Sequence, residues 1–147
     1  MTDAMPLLNF AADPSSLIPL LSLLGLVISL YVWRSQRSGR PIACWTRDCD
    51  RVIRSPYSRL LGVHNSAIGI WVFLMILLLT LFPQAGVRLP PYLAALVSAL
   101  LILLSSVGTL VSLYLAYVQL FVLKGICNWC LTSALLICAI LIILATG

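Results

Sequence analysis

The sequence predicts an all-helical membrane protein, a four-transmembrane-helix bundle with a long polar loop between helices 1 and 2. Three observations lead there. Of 147 residues, 62% are hydrophobic and only 9% are charged, with a mean hydropathy of +1.11, whereas a soluble domain carries roughly a quarter charged residues. The apolar residues gather into long uncharged runs, close to or beyond the ~20 residues that cross a ~30 Å hydrocarbon core. The charge gathers too, because nearly all of the formal +5 falls in residues 34–62.

The first helix is predicted over residues 17–33, an uncharged run closed by Arg34. Ahead of it, Met1 to Asp13 has no Lys or Arg and contains Asp3 and Asp13, which argues against a cleavable signal sequence. Residues 34–62 form the loop, rich in arginine and holding Pro41, Cys44, Cys49 and Pro56. Within it, Val52, Ile53, Tyr57, Leu60 and Leu61 suit a short amphipathic element lying on the bilayer surface. The second helix is predicted over residues 63–82, followed by a Pro/Gly turn with Arg88.

Tyr92 to Leu123 is uncharged over 32 residues, ~48 Å of helix at 1.5 Å per residue. That exceeds one perpendicular crossing. A second crossing would place a turn with unpaired backbone groups in lipid, so one tilted helix over 92–123 is predicted. Lys124-Gly125 makes a tight hairpin, with Gly125 as helix C-cap, and the last helix covers 126–145. Residues 1–147 read as a single transmembrane redox domain. Four crossings bring the 34–62 loop and the Lys124 hairpin to one face, so both cysteine pairs share it.

Chemistry points to those pairs. Cys127-Asn128-Trp129-Cys130 opens the last helix, where unsatisfied backbone N–H groups lower a thiol pKa and favour the reactive thiolate. Cys44 and Cys49 lie in the polar loop, and two dithiol pairs pass two electrons by exchange through a mixed disulfide. The loop pair alone also suits a static disulfide, and all four cysteines together suit a structural zinc–thiolate site. The metal reading is the weaker one, since such sites usually brace small soluble modules, and the expected metal complement is none. Cys138, within the last apolar run, reads as a small buried hydrophobe. Nucleic acid is excluded as a partner, because no binding motif or aromatic platform accompanies the arginines.

Two loop cysteines after the first helix, Asn65-Ser66-x-x-Gly69 at the second, and Cys127-x-x-Cys130 opening the fourth resemble the vitamin K epoxide reductase family. Ser55, six residues after Cys49, fits the same pattern. The resemblance runs from about Leu20 to the end of the chain. It implies that Cys44 and Cys49 form a shuttle disulfide and that Cys49 exchanges with Cys127. Cys130 then faces a membrane quinone (ubiquinone, menaquinone or similar), with Asn65 as hydrogen-bond donor to a quinone carbonyl and Ser55 beside the same site. Ala134 stands where vertebrate members carry Tyr, and the loop cysteines are closer together than theirs. Both differences favour plain quinone reduction coupled to disulfide formation.

The implied function is a membrane thiol–quinone oxidoreductase. It oxidises a separate thioredoxin-fold partner, since no residues remain in this chain for a fused domain of that kind. The alternatives are a vitamin K or quinone epoxide reductase, and a non-catalytic membrane module with a structural disulfide or zinc site. Two arguments oppose each other on orientation. Arg34, Arg37, Arg40, Arg47, Arg51, Arg54, Arg59 and Lys124 share the cysteine face against Arg88 on the other, which the positive-inside rule assigns to the cytoplasm. The resemblance points to the exported side, where disulfides persist.

Overall fold

A computed structural model describes residues 14–44, 48–84 and 88–146. Met1 to Asp13 and Arg47, which the sequence reading used, lie outside them. Four helices are long and apolar enough to cross a membrane: Ser16–Ser38, Asn65–Phe82, Pro91–Val122 and Asn128–Thr146. In chain order the elements are α1 (Pro14–Ser38), a short α2 (Cys49–Ile53), a 3-10 turn (Pro56–Ser58), β1 (Arg59–Leu60), β2 (Val63–His64), α3 (Asn65–Gln84), α4 (Pro91–Tyr117), a π-turn (Val118–Val122) and α5 (Asn128–Thr146).

The long helices form a closed ring in which α1 packs on α3 and α5, and α4 packs on α5 and α3. Ile18, Phe73, Ile76, Leu101, Ile137 and Ile140 fill the core at one end. Leu24, Val27, Leu103, Leu110, Leu135 and Ile142 point outward and are more than half exposed, as lipid-facing residues are. Two buried helix hydroxyls are satisfied on the preceding turn: Ser22 donates to the Ile18 carbonyl at 2.8 Å and Thr80 to that of Ile76 at 2.8 Å. In hydrocarbon an unsatisfied polar group costs several kcal/mol, and these bonds avoid that cost.

Four expectations are corrected. The first helix does not stop at Arg34 but runs on to Ser38, because a charge ends the apolar run without interrupting backbone hydrogen bonding. Val63 and His64 belong to a hairpin rather than to α3, with Arg59 opposite His64 and Leu60 opposite Val63. The turn residues Leu61 and Gly62 have φ of 54° and 84°, the left-handed pair that a two-residue type I′ hairpin requires.

Val52 and Ile53 do not lie on the bilayer surface. They are buried beside Cys49 and Cys127, since α2 gains more by covering the end of the bundle. Finally, Lys124, not Gly125, takes the left-handed position after the third long helix, with φ of 51°. Gly125 sits where α2 comes close: a Cβ there would come within 2.8 Å of the Arg51 guanidinium, which would have to shift, and 3.2 Å of Asp48 Cβ.

Candidate redox site

The α4–α5 turn sets the site. Leu123 N–H reaches back to the Val118 carbonyl at 2.9 Å, a five-residue spacing that widens the last turn into a π-turn, a feature frequent at functional sites. Gln119, 4% exposed, then holds both sides of the connection. Its carbonyl accepts the Gly125 N–H at 3.0 Å and its side-chain oxygen accepts the Cys127 N–H at 3.3 Å. Arg51 in α2 donates to the Leu123 carbonyl at 2.5 Å, which ties the loop to the same turn.

Cys127 occupies the N-cap of α5. Its carbonyl accepts the Leu131 N–H at 3.0 Å, and its sulfur accepts the Cys130 N–H at 3.4 Å, the role that a Ser or Asp oxygen plays at an ordinary cap. Cys127 lies just outside the membrane-crossing segment that begins at Asn128. Its thiol is held below the ordinary thiol range, first by a hydrogen bond from the Cys130 side chain and then by the N–H groups of Cys130 and Trp129. Burial and the Asp50 carboxylate act against this and do not overcome it.

Cys44 and Cys49 are joined in a disulfide with a Cα separation of 6.0 Å, while Cys127 and Cys130 are free. Cys49 and Cys127 are both fully buried in one cluster with Val32, Ile42, Val52 and Ile53, against which Cys44, Trp129 and Cys130 pack. The Trp129 indole N–H donates to the Ala43 carbonyl, beside Cys44. Cys138 is a third free thiol and lies outside that cluster.

Cys130, unlike Cys127, also lines a cavity of about 170 Å³ inside the bundle. The wall includes Val72, Phe73, Val107, Gly108, Val111, Ser133 and Ile137, together with Asn65 and Ser55 at the loop end. Asn65 donates through Nδ2 to the Tyr57 carbonyl at 2.9 Å, while its Oδ1 is buried without a hydrogen-bond partner. Ser55 spends its hydroxyl proton on the Val52 carbonyl at 2.7 Å and keeps its lone pairs free to accept. The other motif residues, Ser66 and Gly69, line the cavity too: Ser66 donates to Gln36, and a Cβ on Gly69 would stand 2.8 Å from Ser29 Oγ, where α1 and α3 touch. Ala134 does not reach the cavity; Ser133 and Ile137 do.

The four cysteines, Asn65 and Ser55 thus converge at one end of the bundle. Gln36, Gln119 and Asn128 were not singled out from the sequence. An amide inside an apolar run is costly unless partnered, so Gln119 carried a readable signal. Asn128, a polar residue at the mouth of the last helix, carried none.

A dithiol capping a membrane helix, with one sulfur against a second cysteine pair and the other against an apolar cavity, defines a membrane oxidoreductase by class. The vitamin K epoxide reductase family profile matches residues 16–145, nearly the whole chain, and the protein belongs to that family. It is accordingly a multi-pass membrane protein and an oxidoreductase, of a family whose electron partner is a quinone.

Proposed function

We propose that this protein oxidises the thiols of a separate thioredoxin-fold partner and passes the two electrons to a membrane quinone. One observation carries the reading: Cys127 is buried with Cys49, whereas Cys130, three residues on, lines the cavity. A pair divided in this way can take electrons on one side and deliver them on the other.

The residues fit a quinone ring. A ~150 Å³ apolar cavity holds benzene, the volume here is about 170 Å³, and the Asn65 NH₂ keeps a second N–H beyond the one given to Tyr57, the donor that a quinone carbonyl needs. Asn65 and Ser55 would hold the head group against Cys130. The quinone, when bound, supplies the oxidising power and leaves as hydroquinone.

The remaining steps belong to the protein. The partner's dithiol reduces the Cys44–Cys49 disulfide by exchange and becomes a disulfide itself. The Cys49 thiolate then attacks Cys127 of an oxidised Cys127–Cys130 pair, forming Cys49–Cys127 and releasing the Cys130 thiolate. Cys44 attacks Cys49 in turn, which restores the loop disulfide and frees Cys127. One S–S bond forms for each one broken, and two electrons reach the cavity side.

The test is the ultraviolet absorbance of a short-chain ubiquinone or menaquinone added anaerobically to the reduced protein in lipid nanodiscs. The expected result is quinone reduction that Cys130→Ser abolishes. A wild-type protein that leaves the quinone oxidised would overturn the reading in favour of a structural module. A quinone epoxide in the same assay tests the epoxide activity.

A further inference from the structure

Asn128 stands first in α5, between the two free thiols of its own pair, yet its side chain addresses the other pair. Its amide oxygen position lies 3.1 Å from the Cys44 sulfur and 3.6 Å from the Cys49 sulfur, across more than seventy residues of chain. A disulfide sulfur carries no proton and only accepts. The oxygen and nitrogen of an Asn amide occupy equivalent positions and exchange by rotation. The oxidised pair therefore takes the NH₂ face, and the reduced pair, whose thiols donate, accommodates either face. The residue's backbone is fixed in the first turn of the helix, its carbonyl accepting from the Thr132 hydroxyl at 2.6 Å.

We propose that Asn128 is a catalytic residue of the exchange between the two pairs, its NH₂ group stabilising the thiolate on Cys44. The inference rests on the relay described above. Taken in the direction that starts from the state observed, the Cys127 thiolate attacks Cys49, the Cys49–Cys127 bond forms and the Cys44–Cys49 bond breaks. The bonding electron pair goes to Cys44, no proton moves, and the charge that leaves Cys127 appears beside the Asn128 amide. In the opposite direction the same amide favours the Cys44 thiolate that attacks the mixed disulfide. A thiol of lower pKa leaves faster, so one donor serves both directions. A hydrogen bond to a charged group is strong enough to change such a rate about tenfold to a hundredfold.

The residue types at this position separate donation from packing. Leu matches the shape of Asn and cannot donate. Asp matches it too, suits a helix N-terminus and so preserves the fold, but offers only acceptors and a negative charge. The measurement has two readouts on the full-length protein in detergent. One is the pH profile of Cys44 alkylation in the reduced protein. The other is the rate at which one equivalent of dithiothreitol, added to the fully oxidised protein, redistributes between the pairs, followed by quenched alkylation and mass spectrometry.

Asn128→Leu is expected to move the Cys44 profile to higher pH and to slow redistribution about tenfold to a hundredfold; Asn128→Asp is expected to move both further. A Leu variant with the wild-type profile and rate would overturn the role of Asn128 while leaving the relay intact. A wild-type protein in which no redistribution occurs would overturn the relay and this role together.

Discussion

The Cys127 sulfur accepts a hydrogen bond from the backbone N–H of Cys130 at 3.4 Å, so a thiol of the Cys-x-x-Cys pair also serves as the cap of the helix that carries it. The Cys130 side chain and the first-turn N–H groups all favour the Cys127 thiolate. A group whose pKa is depressed by folding stays ionised below its ordinary range, here about 8.5 for a thiol. It stabilises the fold above that range, and the contribution is lost as pH falls through the depressed value. Thiolate absorbance against pH, with the loop disulfide intact, is expected to show one thiol titrating below the ordinary range. That titration should vanish in Cys127→Ser and move upward in Cys130→Ala. Free thiols that all titrate at or above 8.5 would contradict it.

Asn65→Ala removes an amide at the cavity whose NH₂ has one N–H left after its bond to the Tyr57 carbonyl. Losing one group placed against developing charge costs about 3 kcal/mol, roughly a hundredfold in rate. Losing its bond to the Tyr57 carbonyl costs about 1 kcal/mol of stability. Quinone turnover is therefore expected to fall far more than the melting temperature. Equal turnover in mutant and wild type would remove Asn65 from the site.

The four crossings were legible because composition alone separates lipid-facing runs from polar connections. The pairing of cysteine faces followed from helix count, and the motif order carried the family. Other features depend on tertiary contacts that leave no periodic trace. Val52 and Ile53 satisfy a surface-amphipathic pattern and a buried one equally well; only the cover they give Cys49 and Cys127 decides between the two. The left-handed residue at the hairpin is Lys124, and Gly125 beside it meets Arg51 and Asp48, residues more than seventy positions away in sequence. Asn128 reaches Cys44 over a similar separation.

Gly25 faces the Phe73 ring so closely that a Cβ would overlap it, and Phe73 is both core and cavity wall. Gly25→Ala must displace that ring, and overpacking of this kind costs about 1–3 kcal/mol. A lower melting temperature in detergent together with a raised quinone KM is expected. A variant with both values unchanged would show that the ring moves freely and that α1 does not shape the cavity.

The most direct test of the relay is a trap between Cys49 and Cys127, which share one buried cluster. In Cys44→Ser, Cys130→Ser, Cys138→Ala protein, only those two thiols remain, and mild oxidation is expected to join them in a disulfide found by non-reducing peptide mapping. Failure to form that bond, while the Cys49 and Cys130 thiols of a matching Cys44→Ser, Cys127→Ser, Cys138→Ala variant do join, would contradict electron transfer through Cys127.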